Sequence, residues 1–295
     1  MRARSRSLAR CLILGVAVLL GAVSARGAGT PIPHGTLELI AEKQEIAPGQ
    51  TLDVGLRFQL EKGWHVYWIN PGDSGEPPRV EWRLPPGLSA GAIEWPTPRR
   101  LESGSIVDYG YEDALLLIVP IRAQASLAAQ PTAQLGAEVR VLVCSHEMCI
   151  PSKAELSLAL PIQSLSSRAD ARTVDLFGAT RKSLPRPLPA NLKFSVADAN
   201  ESFVLTAVLT AKLGHPITQA IFYPLAESQI ENASPQKLQT SAAGFRLTLQ
   251  KSDRLLKPIE RLRGVLVLSS NPVDNQGYLI DVPVSKPGAA RRPVQ

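Results

Sequence analysis

An all-β protein of two sandwich domains, joined by a short helix and a Pro-rich linker, is what this 295-residue sequence predicts. Three observations lead there. Apolar residues alternate with polar ones over short runs, the period-two signature of half-buried strands. Turns rich in Gly and Pro separate those runs at close intervals, which suggests sandwiches rather than βαβ units. The 25 prolines favour edges and turns over long helices.

The runs can be followed in order. Thr36 to Ile40, Leu52 to Phe58 and Trp64 to Trp68 come first, then Leu115 to Val119, Val139 to Val143 and Ala154 to Leu160. Turn signals stand between them at Ala47-Pro48-Gly49-Gln50, Asn70-Pro71-Gly72-Asp73-Ser74-Gly75 and Leu84-Pro85-Pro86-Gly87. These place a first domain at residues 30–163. Residues 164–190 read as a linker: Val174, Leu176 and Phe177 support one short helix, and Leu184-Pro185-Arg186-Pro187-Leu188-Pro189 is an extended, stiff spacer. A second sandwich is expected at 191–286, with strands around Phe203 to Leu209, Ala220 to Tyr223, Phe245 to Leu249, Gly264 to Leu268 and Tyr278 to Val282.

The N-terminus sets the compartment. Arg2, Arg4, Arg6 and Arg10 precede an apolar run from Cys11 to Val23, and Val23-Ser24-Ala25 supplies small residues for cleavage. This reads as a secretory signal over residues 1–25. The 13-residue apolar run is too short for a bilayer span, which needs about 20. No further run is long enough to cross a membrane, so no stable insertion is expected after cleavage, and the mature protein is expected in the periplasm. Removing four arginines lowers the formal charge from +6 to about +2. That leaves no basic stripe of the kind nucleic acid requires, and Arg291 and Arg292 read as a solvated tail.

Cleavage also leaves two cysteines, Cys144 and Cys149, in the segment Val141-Leu142-Val143-Cys144-Ser145-His146-Glu147-Met148-Cys149-Ile150-Pro151. An even pair in an exported chain is normally oxidised or redox-cycling. A bridge closing so small a ring stabilises by only about 2 kcal/mol, which argues against a purely structural role without deciding it. His146 stands inside the loop, where a cation would favour thiolate. The set Cys144, His146, Met148 and Cys149 also offers two thiols, an imidazole and a thioether, a soft donor set suited to Cu(I). Exchange, copper binding and a structural bridge in a binding module all stay open on these residues. Nothing points to an organic cofactor.

Three stretches carry a family resemblance: Val143-Cys144 through Leu156, Gly63 to Gly75, and Trp95-Pro96-Thr97-Pro98 with Tyr109-Gly110-Tyr111. They resemble the periplasmic N-terminal domain of the thiol:disulfide interchange protein DsbD, and more closely the related suppressor-of-copper-sensitivity protein ScsB. Residues 191–286 resemble the extra β domain of the ScsB-like proteins. The resemblance implies an immunoglobulin-like fold and a thiol:disulfide oxidoreductase of the protein-disulfide reductase type. Cys144 and Cys149 would then be the catalytic disulfide pair. It further implies a cap loop between about Pro96 and Gly110, with Arg99, Arg100 and Glu102 as its charged residues and Asp108 and Tyr109 approaching the sulfurs. Family members of full length carry a multi-span membrane domain and a thioredoxin-like domain. With neither in this sequence, the expected partners are a separate membrane thiol reductase and periplasmic thioredoxin-like or disulfide-containing proteins.

Overall fold

The computed structural model describes residues 29–127, 131–163, 170–210, 216–269 and 275–286. The signal segment expected at 1–25, residues 164–169 of the expected linker, and Arg291 and Arg292 lie outside the described residues. The chain is built almost wholly of strands. The first sandwich opens with β1 (Thr30–Ile32), β2 (Gly35–Ala41), β3 (Thr51–Leu60), β4 (His65–Gly72), β5 (Arg79–Arg83) and β6 (Leu88–Ala90). It continues with β7 (Arg99–Ser103), β8 (Ile106–Glu112), β9 (Ala114–Ala123), β10 (Thr132–Cys144) and β11 (Cys149–Pro161). One sheet has the order β1-β2-β3-β9-β6; the other runs β11-β10-β4-β8-β7, with β5 also paired to β10.

The helix α1 (Ala171–Ser183) covers the outer face of the first of these sheets. Asp170 caps its start by accepting from Arg172 N at 3.1 Å. Phe177, fully buried, packs on Leu116 and Ile118 of β9. Gly55 in β3 leaves the room, since a Cβ there would overlap Leu116 Cδ1 and lie 3.1 Å from Phe177 Cζ. This explains why Leu115 to Val119 is buried at every position instead of alternating: both faces of β9 are covered. At the end of the helix Arg181 clamps Glu42 at 2.6 and 2.7 Å.

After α1 come β12 (Arg186–Pro187), β13 (Leu192–Ala199), β14 (Ser202–Leu209) and β15 (Gln219–Pro224). They are followed by β16 (Lys237–Ser241), β17 (Gly244–Gln250), β18 (Arg261–Ser269) and β19 (Asn275–Ser285). Their order is β15-β18-β19-β13-β14-β17-β16, with β12 beside β19. A separate core of Phe203, Leu205, Phe222, Leu247, Leu262 and Leu266 sits inside. The two sandwiches meet through a packed junction. Tyr223, Val265 and Val267 of the second are buried in the core cluster of the first. Tyr223 stands edge-on to Tyr109 at 5.1 Å and to Trp68 at 6.3 Å between ring centres. Asn70 fastens the rim, its Nδ2 donating to Pro224 O at 2.7 Å and to Ala226 O at 3.3 Å. Among the described residues no helix is long and apolar enough to cross a membrane.

Candidate functional site: a cysteine pair at the tip of a hairpin

Strands β10 and β11 are the longest in the first sandwich, and they pair in register from Thr132↔Pro161 to Cys144↔Cys149. The cysteines are therefore directly opposed cross-strand neighbours. Ser145 N donates to Met148 O at 2.8 Å, so the next pair outward is the hydrogen-bonded one and the cysteines occupy the close-approach position. Their Cα atoms lie 4.1 Å apart and the disulfide is closed. Ser145 Oγ shapes the tip by accepting from Glu147 N and Met148 N at 3.2 and 3.3 Å. The two sulfurs differ in access. Cys144 is 1% exposed, whereas Cys149 faces solvent.

Strand β4 lies along the other side of Cys144, with His65 as its register partner. Alternation divides this strand: Val66 and Trp68 enter the core, while His65 and Tyr67 stand toward the pair. The Tyr67 hydroxyl is 3.7 Å from Cys149 Sγ. Burial pushes the Tyr67 phenol upward, so it keeps its proton and acts as a donor toward the oxidised sulfur. Its ring is covered by Gly75, where a Cβ would overlap Tyr67 Cζ and where φ is +82°. A side chain at residue 75 would meet both the ring and a left-handed backbone.

His65 is 9% exposed, and its Nε2 meets no hydrogen-bonding group of the protein. Burial, with the nearby His146 adding to it, depresses its pKa from 6.5 to about 4. In the folded state the ring stays neutral until about pH 4, while the unfolded chain takes up a proton near 6.5. Between those values the unfolded state holds more protons, so stability present above pH 6.5 is lost as pH falls toward 4. Over the whole window this is worth about 3 kcal/mol. Urea titrations at pH 7 and pH 4.5 should show His65→Gln losing less stability on acidification than the wild type; equal losses would refute the assignment.

The structure distributes the other expected site residues differently. His146 and Met148 are exposed on the hairpin tip with the pair. Within the stretch expected as a cap loop, residues 99–112 form a strand hairpin, β7 and β8. Glu102 accepts from Arg100 Nε at 3.2 Å, and Arg99 lines a shallow cleft with Thr97, Tyr111 and Glu112. Tyr109 points into the core, opposite the face of the sulfurs, and donates to Asn232 Oδ1 of the second sandwich at 2.8 Å. Strand alternation forces this: Val107, Tyr109 and Tyr111 share the inner face. Asp108 alternates to the other face, on the side of Tyr67, whose phenol its charge helps to raise. Its carboxylate, held upward mainly by burial, accepts from Ser74 N at 2.9 Å and Ser74 Oγ at 2.8 Å.

The segment that packs on Tyr67 is the turn Asp73–Gly75. His65 and Tyr67 were within reach of sequence reasoning, because alternation from Trp64 to Trp68 puts them on one face, but nothing in the sequence says which face meets the hairpin. Among the described residues no group of three or more His, Cys, Asp and Glu gathers as a metal site.

Residues 36–161 match the family model described as thiol:disulfide interchange protein DsbD, N-terminal. A crystal structure of the N-terminal periplasmic domain of ScsB from Proteus mirabilis is similar in fold, with a TM-score of 0.60 at 16% identity, over 85% of this chain and 94% of that one. A protein of unknown function from Porphyromonas gingivalis W83 gives a TM-score of 0.23 at 10% identity over 84% of this chain and 99% of that one, too slight a likeness to inform the fold. No curated protein matches the chain.

Proposed function

We propose, from the match of residues 36–161 to the DsbD N-terminal family model, that the protein is a periplasmic thiol:disulfide exchange module that passes electrons through Cys144 and Cys149. The observation that carries this reading is the unequal access of two sulfurs joined at a hairpin tip. An incoming thiolate reaches Cys149 Sγ and finds Cys144 buried. Attack forms a mixed disulfide on Cys149, breaks the Cys144–Cys149 bond and leaves the electron pair on Cys144. A second thiolate from the donor releases the dithiol form. Run in reverse toward an oxidised partner, the same steps deliver two electrons and regenerate the bridge.

On this reading a membrane thiol reductase supplies electrons and disulfide-containing envelope proteins receive them. Export through the N-terminal signal brings the pair to that compartment. The ordinary fate of a short local bridge is different from that of a bridge joining distant strands: it adds little stability and is free to open.

The reduction potential of the pair tests the proposal. Equilibration of the mature protein in glutathione or dithiothreitol buffers, followed by thiol trapping, should give about −120 to −270 mV, the range of exchange-active proteins. A value well below about −300 mV would mean a structural bridge and end the exchange reading.

A further inference from the structure

The second sandwich docks on β4, the strand that carries Tyr67, and on its neighbour β8. Its residue Asn232, 6% exposed, makes three contacts across the junction. Asn232 Nδ2 donates to Asp73 Oδ1 at 2.8 Å, Asn232 Oδ1 accepts from Tyr109 at 2.8 Å, and its backbone carbonyl accepts from Arg100 Nη1 at 2.9 Å. Asp73 in turn fixes the turn that covers Tyr67. Its Oδ2 accepts from Val107 N at 2.8 Å, and its own N–H donates to Val107 O at 3.1 Å. The next residue, Ser74, is tied to Asp108, and the one after, Gly75, lies on the Tyr67 ring. A continuous chain of part-buried contacts therefore runs from Asn232 through Asp73–Gly75 and Tyr67 to Cys149 Sγ.

We propose that Asn232 is a positioning residue for the cysteine pair: by holding Asp73 it seats the turn on Tyr67 and aims the Tyr67 hydroxyl at Cys149, so the second sandwich is a brace of the redox site. The inference rests on the exchange reading and assigns the second sandwich its part in it. In the dithiol form the Tyr67 hydroxyl donates to the Cys149 thiolate and keeps its own proton. That thiolate attacks a partner disulfide, an S–S bond forms to Cys149, and the partner's other sulfur leaves with the electron pair. Cys144 thiolate then attacks Cys149 Sγ, restoring the bridge and releasing the partner as a dithiol. Two electrons reach the partner, and the two protons lost by the cysteines are taken up by it through solvent. The charged or titratable groups facing Tyr67 and the pair are Asp108 from β8, His65 from β4 and His146 from the hairpin tip.

The pH dependence of Cys149 alkylation by iodoacetamide, read by peptide mass spectrometry on the reduced full chain, decides the matter. Tyr67→Phe should raise the midpoint by about one pH unit, a tenfold loss of thiolate below it. Asn232→Asp sets a second carboxylate against Asp73 and should raise the midpoint to a similar degree. Combining it with Tyr67→Phe should add nothing, because both act through one hydroxyl. The exchange Asp73→Asn/Asn232→Asp restores every bond: the amide now at position 73 would donate to the carboxylate at position 232 and still accept from Val107 N. Its midpoint should return to the wild-type value. Asn232→Ala replaces the single variant if Asn232→Asp does not fold, as judged by near-ultraviolet circular dichroism. A folded Asn232 variant with the wild-type midpoint, a shift that adds in full to that of Tyr67→Phe, or an exchange variant that folds without recovering overturns the inference. Failure of the exchange reading looks different, since it appears in the wild type as a pair that dithiols cannot reduce.

Discussion

Replacing Cys144 by serine is expected to turn the protein from a carrier into a trap. Cys149 remains exposed and able to attack a partner disulfide, but nothing nearby can resolve the product. A mixed disulfide on Cys149 should accumulate, visible on non-reducing gels and removed by dithiothreitol. Turnover should fall on the order of a hundredfold or more, because an oriented neighbouring thiol acts at an effective concentration far above that of thiols in solution. Cys149→Ser should fail in the other way. The thiol left behind belongs to Cys144, which is 1% exposed, so no partner reaches it and no adduct forms. Adducts on Cys144 in the Cys149→Ser protein, with none in Cys144→Ser, would reverse the assigned order of attack.

Tyr223→Ala carries the largest expected loss of stability. The ring is 5% exposed, belongs to the second sandwich, and fills the core of the first between Trp68 and Tyr109. Truncating a buried aromatic side chain of this size costs about 3 to 5 kcal/mol, through lost burial and the cavity left behind. The void would open at the junction, so the two sandwiches should lose their mutual support before either core melts. In urea titrations followed by tryptophan fluorescence, the wild type should unfold in one transition and Tyr223→Ala in two, the first at lower denaturant. A single transition shifted by less than about 1 kcal/mol would mean the junction contributes little to stability.

Much of the fold was legible because it rests on local pattern. Strand alternation from Leu52 to Phe58 and from Phe203 to Leu209 marks one buried face, and the helix at Val174 to Phe177 follows a change of texture that the prolines after Leu184 close. The hairpin that opposes Cys144 and Cys149 was legible as feasible, since its two flanks alternate toward a tight loop. The cap was not. The loop at 96–110 was expected from the resemblance and not from local pattern, and Arg99–Ser103 and Ile106–Glu112 pair as strands beside β4. Tyr109 was misplaced because its face depends on the register of a long-range ladder. The junction was invisible altogether. Asn232 sits in a polar turn whose sequence reads as solvent-facing, and only the meeting of two separately folded sheets gives it Asp73 and Tyr109 as partners.

The hairpin that ends at the cysteines has a consequence for how such a carrier would be used. Thirteen residue pairs hold β10 to β11, and the Ser145–Met148 bond closes the tip from the backbone alone. Against that ladder the bridge adds about 2 kcal/mol, so opening it leaves the scaffold in place. The molecule then has one shape and two chemical states. A passing protein cannot tell a charged carrier from a spent one by its outline, and both occupy the same docking face. Traffic through the site would follow the ratio of the two forms, with spent carrier acting as a competitor of charged carrier, so adding more of the protein without more reductant would slow delivery.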